Sequence, residues 1–165
     1  MKQIVVTCFV VLAVAGVMAA QKTKYGVTVT AEKNVDFATF KSYSWTRGQP
    51  SPSKNLDARI VAAVDRELNA LGMRKAASGP GDVLVSYDSL TRTDLDASAK
   101  ADDRGNRPEY RVGILTVSLL DPGKRQPLLK LRVDKPVEGG SAKLEEAIDS
   151  AVAEMFASYP TRKSK

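Results

Sequence analysis

The sequence predicts an α+β domain: an antiparallel sheet of about five strands with two helices packed on one face, in the order β-β-α-β-β-β-α, a two-layer sandwich. Three observations predict it. Apolar and polar residues alternate in several short runs, the period of half-buried strands. Two longer stretches repeat apolar residues every three to four positions, the period of amphipathic helices. Most strands are apolar on one side only, which suits an antiparallel sheet with one covered face and one open face. With 165 residues, 43% of them apolar, the chain can build one packed domain.

The elements follow in order. Tyr25, Val27 and Val29 alternate with Gly26, Thr28 and Thr30 and read as a first strand. Asn34 or Asp36 can cap a short turn that holds Phe37 and Phe40 on one side. Residues 42–45 alternate again, and 47–55 form a Gly/Pro/Ser loop. Asn55 is a natural N-cap for a helix over 56–71, with Gly72 as its C′ residue. Leu56, Ile60, Val64, Leu68 and Leu71 share one arc of that helix. Glu67 falls at the edge of the arc and reads as a surface acid.

Val83, Val85 and Tyr87 begin a third strand that extends to Thr93, and 94–108 is a polar loop. Residues 110–120 form the most apolar strand. Asp121-Pro122-Gly123-Lys124 reads as a type II turn, and Leu129, Leu131 and Val133 return as the other arm of a hairpin. Ser141, after Gly139-Gly140, caps a last helix. Its face is Leu144, Ile148, Ala151, Val152, Met155 and Phe156, with Tyr159 at the end and Pro160 as the stop. Residues 161–165 read as a frayed basic tail.

The first residues belong to a different class of segment. Lys2 precedes an almost wholly apolar run over 4–17, and small residues follow at Ala19 and Ala20. This is the layout of a secretory signal peptide, cleaved after Ala19 or Ala20. The run is shorter than the roughly 20 residues that span a bilayer, so the chain reads as no integral membrane protein. Cys8 lies near the start of the apolar run rather than behind it, so it does not suit a lipoprotein cleavage site. The division is therefore 1–19 signal peptide, 20–160 one α+β domain and 161–165 tail. The expected location is the periplasm or the exterior, soluble after cleavage.

Composition removes several chemistries. There is no His and one Cys, which excludes His-based catalysis, a His metal site, a multi-Cys zinc site and an intrachain disulfide. The acids Asp88, Asp94, Asp96, Asp102, Asp103 and Glu109 gather around the long loop. Asp94-x-Asp96 begins a Ca²⁺-loop pattern, but no Gly stands at the sixth position and no acid at the twelfth. Arg92, Lys100, Arg104 and Arg107 interleave with these acids, so the loop reads as solvated. Hydrolysis by paired loop carboxylates is the alternative reading, but nothing fixes two acids across a cleft. Neither Ser141-Ala142-Lys143 nor Ser51-Pro52-Ser53-Lys54 has the context of a Ser-Lys hydrolase, and no Gly-rich phosphate loop is present. No catalytic residue, cofactor or metal is assigned. A net charge of +6, dispersed along the chain, does not suit nucleic acid; an anionic envelope surface is the better partner for the basic tail.

Four segments resemble a known family when taken in order. They are 35–45 (Val-Asp-Phe-Ala-Thr-Phe-Lys-Ser-Tyr-Ser-Trp), 81–87 (Gly-Asp-Val-Leu-Val-Ser-Tyr), 113–121 and the terminal 151–160. Together the chain resembles the bacterial envelope family called domain of unknown function 4136, over nearly its whole mature length. The resemblance implies an exported protein of a family without an assigned activity. Two departures stand out. Many members carry a lipobox, which this chain lacks. Members often carry a Trp-Arg pair after the hairpin turn, where this chain reads Leu129-Lys130-Leu131-Arg132.

The strand over 110–120 is apolar on both sides. Leu115, Val117 and Leu119 face one way, and Val112, Ile114 and Leu120 the other. An apolar stripe on an open face needs a cover, which is either the 94–108 loop or another molecule. The candidate partner-binding residues are therefore Val112, Ile114, Lys130 and Arg132. The expected function is a non-catalytic binding or interaction module that meets an envelope protein or an anionic envelope component.

Overall fold

The computed structural model describes residues 26–137 and 141–162, and over 141–145 the backbone alone. The expected signal peptide with Cys8, Tyr25, the Gly139-Gly140 turn, the side chains of Ser141 and Leu144, and the tail beyond Arg162 lie outside the described residues. The elements are β1 (Val27–Ala31), β2 (Ser42–Trp45), α1 (Lys54–Ala70), β3 (Arg74–Lys75), β4 (Val83–Leu95), β5 (Glu109–Leu120), β6 (Pro127–Pro136) and α2 (Ser141–Ala157). They form a six-stranded sheet in the order β1-β6-β5-β4-β2-β3.

The α+β class and the one-sided helices agree with the expectation, and the sheet corrects it in two ways. It has six strands rather than about five, the extra one being the two-residue β3. It is also mixed: β2 pairs parallel with both β3 and β4, while β1, β6, β5 and β4 pair antiparallel. The reason is α1. A strand joined to its neighbour through a helix packed on one face must return in the same direction. Alternation within each strand does not reveal this, because it is the same in parallel and antiparallel pairs.

Local chemistry sets the boundaries. Asp36 caps the 36–39 turn, its Oδ1 accepting the Ala38 N–H at 3.0 Å. α1 begins two residues earlier than the capping pattern suggests, with Ser53 in the extended N-cap conformation and no side-chain cap bond. It ends where expected: Gly72 has φ +83°, the left-handed C′ conformation that favours glycine. The β5–β6 turn is not type II. Asp121 Oδ1 accepts from the N–H groups of Gly123 and Lys124 at 2.9 and 2.6 Å, and Arg125 takes the positive φ, at 56°. An Asp side chain that binds the backbone ahead of it replaces the glycine-dependent turn.

The core lies between the sheet and the helices. Val83, Val85, Val117, Leu119, Leu129 and Leu131 on the sheet meet Val64 and Leu68 of α1 and Val152, Met155 and Phe156 of α2, all of them buried. Glu67 is not the surface acid expected. It is 9% exposed, and Arg162 from the end of the chain reaches its Oε2 at 3.1 Å. The start of the tail is therefore fastened to α1, because a carboxylate at the edge of a helix–helix seam needs a cation there.

One close approach fixes the register of β2 on β4. A Cβ on Gly81 would stand 2.6–2.7 Å from the Tyr43 backbone. Next to it, the Asp82 carboxylate accepts the N–H groups of Lys41 and Ser42, both at 2.8 Å, and the Ser42 hydroxyl at 3.0 Å. Those donors hold the Asp82 carboxyl below the usual range, the Lys41 and Ser42 backbone bonds first. Gly81→Ala is expected to destabilise by about 1–3 kcal/mol, since backbone rather than a pliant side chain must give way. Leu68→Ala, which empties part of the α1 seam, is expected to cost about 2–5 kcal/mol. Urea unfolding measures both. A loss under about 0.5 kcal/mol, typical of a surface change, would contradict this packing.

Candidate functional site

The strand directions dictate where the two layers can separate. β4 and β6 run one way, and α1 and α2, which follow β2 and β6, both run back. The helices are therefore parallel to each other: Arg59 near the start of α1 pairs with Asp149 of α2, and Glu67 near its end meets Arg162 beyond α2. Both helices begin at the end of the sheet where β4 and β6 finish. A cleft of about 1130 Å³ opens at that end. Its apolar lining includes Leu56 and Ile60 of α1, Ile148 and Ala151 of α2, and Leu115 and Val133 of the sheet. Arg111 of β5 and Lys135 of β6 also line it, with Ser89 and Thr91 of β4 on the third side. The described lining contains no Asp or Glu. The volume lies just above the usual range of small-molecule sites, about 300–1,000 Å³.

On the β2 side of the sheet, aspartates of α1 tie the aromatic side chains. Asp65 Oδ1 accepts the Tyr43 hydroxyl at 2.8 Å and the Trp45 indole N–H at 2.9 Å. Asp57 accepts the Tyr87 hydroxyl, and Tyr87 meets Trp45 edge to face at 6.2 Å. Asp57 and Asp65 are eight residues apart, so they lie on one helix face. Burial, and then the Asp65 hydrogen bond, raises the Tyr43 pKa; burial and Asp57 push Tyr87 up to about 12, and burial alone pushes Tyr159 up to about 12. A further pocket of about 230 Å³ touches Trp45, Tyr87 and Asp57. Each polar atom of these aromatic groups is already paired within the chain, so this array holds the layers together.

The open face holds the residues singled out from sequence. Val112 is 3% exposed, Ile114 is half-buried, and Lys130 and Arg132 are exposed. The cover over the stripe is made of side chains from the flanking strands. Arg92 of β4 reaches across β5 to Asp134 of β6, Nη1 to Oδ2 at 2.9 Å, and also pairs with Asp94 at 2.9 Å. Arg132 binds the same Asp134 through Nε at 2.7 Å, and that hydrogen bond is the first cause of its lowered pKa. The guanidinium of Arg92 thus passes over Val112 and Ile114. Leu90, which pairs with Ile114 in register, remains 49% exposed.

The long polar loop is shorter than expected and closes on itself. β4 runs to Leu95 and β5 starts at Glu109, so the two form a long hairpin with its tip at 96–108. Asp96 accepts N–H groups of Ser98 and Ala99 at 2.9 and 3.2 Å. Asp102 accepts those of Arg104 and Asn106 at 2.9 and 2.7 Å. The Ser98 hydroxyl first, for Asp96, and the Asn106 N–H first, for Asp102, lower the pKa of these acids. Among the described residues, no three acids or thiols gather into a metal-binding group, and no helix is long and apolar enough to cross a membrane.

The sequence reasoning missed the cleft. Leu56, Ile60 and Ile148 were legible as apolar helix positions, but nothing local distinguishes a residue buried in the core from one lining an opening beside it.

With this geometry in view, the chain is similar to several known proteins. The model of the family described as Domain of unknown function (DUF4136) matches residues 27–161. Among solved structures, a PDZ domain protein from Parabacteroides distasonis superposes with a TM-score of 0.61 at 15% identity, over 85% of this chain and 36% of that one. The chain thus spans about a third of that protein. A PelC dodecamer from Paraburkholderia phytofirmans gives 0.48 at 10% identity, over 79% and 95% of the two chains. An uncharacterized lipoprotein B from Nitrosomonas europaea gives 0.41 at 12%, over 71% and 80%. At these identities the first likeness is one of fold. No curated protein matches the sequence.

The tyrosines generate a pH prediction. A hydroxyl whose pKa is higher folded than unfolded stabilises fully below its unfolded value of 10.0, and that stability is lost as pH rises through the folded value. Unfolding free energy is expected to start falling near pH 10 and to keep falling to about 12. Tyr87→Phe removes one of these protons, so its slope over that window is expected to be shallower by up to one proton. Urea titrations at stepped pH read it, and an unchanged slope would contradict the burial of Tyr87.

Proposed function

The chain belongs to the DUF4136 family, and from that premise we propose that it is an exported envelope domain that works by binding an apolar ligand in the cleft between its two helix starts. One observation carries the reading: an opening of about 1130 Å³ with an apolar floor, where a sandwich of this size would otherwise close. Export is supported by the leader-like segment, whose cleavage leaves Ala20 or Gln21 as the first residue. Catalysis by the loop carboxylates has less support. A general acid at neutral pH needs a raised pKa, whereas those of Asp96 and Asp102 are lowered and both side chains cap backbone turns.

A second surface supports contact with an anionic envelope component. Lys130 and Arg132 stand exposed on the open face beside Ile114 and the exposed Leu90, with Val112 beneath. An envelope protein remains the other partner proposed for this face.

The protein purified from the envelope fraction is expected to start at Ala20 or Gln21, unlipidated, as intact mass reports. It is expected to bind the neutral dye N-phenyl-1-naphthylamine saturably. Ala147→Trp and Thr91→Trp, which crowd the cleft from opposite walls, are each expected to weaken dye binding at least tenfold with little change in melting temperature. If neither does, or if the dye does not bind, the cleft is not the site. For the open face, Lys130→Glu is expected to reduce sedimentation with phosphatidylglycerol vesicles and leave dye binding unchanged. Equal sedimentation would remove that surface from consideration.

A further inference from the structure

We propose that the outer edge of β4 over 90–95 pairs with the same edge of a second copy of this chain, antiparallel about a two-fold axis at Thr93. This edge pairing does not depend on what the cleft binds. Backbone bonds fix which groups of β4 point away from β5. The C=O groups of Val85 and Tyr87 accept from the N–H groups of Thr46 and Gln49 at 2.8 and 3.1 Å, and the Ser89 N–H donates to the Gln49 C=O at 2.9 Å. Bonding alternates along an antiparallel strand, so the N–H and C=O groups of Thr91, Thr93 and Leu95 point the same way. Pro50 and Pro52 lack the N–H that would extend this bonding, and the chain turns there into α1. Among the described residues, no backbone group bonds the outer edge of β4 beyond Ser89.

Strand edges are commonly blunted by proline, a bulge or repelling charge. This edge has no proline and no bulge: its register with β5 runs unbroken from Leu84–Leu120 to Leu95–Glu109. Its charges are one of each sign. Arg92 and Asp94 flank Thr93 on one face of the strand. A two-fold axis at Thr93 sets each Arg92 opposite Asp94 of the other copy, a favourable cross-strand pair. Neighbouring registers fail. Moving the centre by one residue sets Arg92 against Arg92 or Asp94 against Asp94, and moving it by two sets Asp94 against Asp88 or Asp96. In the matched register Thr91, Thr93 and Leu95 meet Leu95, Thr93 and Thr91 of the second copy, each pair exchanging N–H···O bonds in both directions. The apolar side chains agree. Of the large ones that stand exposed among the described residues, Leu90, Leu95 and Tyr110 all lie on this part of the β4–β5 hairpin. Leu95, 60% exposed, comes to lie beside Thr91 of the second copy.

Sedimentation equilibrium of the mature protein tests the pairing. An edge of this length is small for a specific interface, so the mass is expected to rise from one chain toward two between about 10 µM and about 1 mM. Arg92→Glu and Asp94→Lys, each alone, set like charges against each other and are expected to stay at the mass of one chain. An equal mixture of the two variants restores opposite charges at every crossing and is expected to pair again, which two chains damaged only in folding would not do. Thr93→Pro removes an outward N–H that β5 does not use, and is expected to abolish pairing with little change in melting temperature. Amide hydrogen exchange at Thr91, Thr93 and Leu95 is expected to slow as concentration rises. A mass of one chain at about 1 mM overturns the proposal. So does pairing that survives Thr93→Pro, or a mixture of the charge variants that stays single. Protection of these three amides already in the dilute protein also overturns it, because the edge is then covered by another segment of the same chain.

Discussion

The parallel pairing of β2 with β4 around α1 is the constraint on which the remaining architecture depends. Once β2 returns as β4 in the same direction, α1 must run opposite to both. The hairpins that follow reverse the chain twice, so α2 leaves β6 and runs the same way as α1. Two helices that start at the same end leave their unpaired N–H groups, and their positive partial charge, on one side of the molecule. The layers part on that side. Had β2 paired antiparallel, the helix starts would fall at opposite ends and no such opening would form.

The pairing is held by few groups, and most of them lie in the segments through which the chain resembles its family. Gly81 lets the Tyr43 backbone approach, and Asp82 gathers three donors from Lys41 and Ser42. Tyr43 and Trp45 reach Asp65 on α1. Phe37 packs edge to face against both Phe40 and Tyr159, at 5.9 and 5.8 Å, which joins the first segment to the last. Buried hydroxyl and indole groups are costly without partners, so each of these contacts fixes a position as well as adding area. These residues thus specify how β2, α1, β4 and the end of α2 meet. They do not converge on a reactive group, so the same frame is free to carry different surfaces.

The two surfaces differ in how their charge is held. On the open face, Arg92, Asp94, Asp134 and Arg132 neutralise one another across three strands, and the arginine stem of Arg92 covers the apolar stripe beneath it. This resolves how a strand apolar on both sides can exist without a lid from the loop. In the cleft, by contrast, the described lining has cations and no acids.

Much of the fold was legible in the sequence because it follows from short-range periodicity. Alternation located β2, β4, β5 and β6, and the three-to-four spacing located both helices to within two residues at most ends. The Asp36 turn and the Gly72 stop were legible because a single residue type suffices for each. What the sequence could not supply was direction and proximity. Parallel and antiparallel strands share one alternation; β3 has only two residues and no pattern; Glu67 reads as exposed until Arg162 arrives from 95 positions away. Val112 and Ile114 were recognised as an apolar stripe, but their cover is an ion pair between residues 42 apart. The cleft draws on α1, α2, β4, β5 and β6, so each residue in it looks locally like ordinary core or surface. Burial pattern is a property of neighbours in sequence, whereas an opening is a property of which elements start at the same end. Only the tertiary structure decides that.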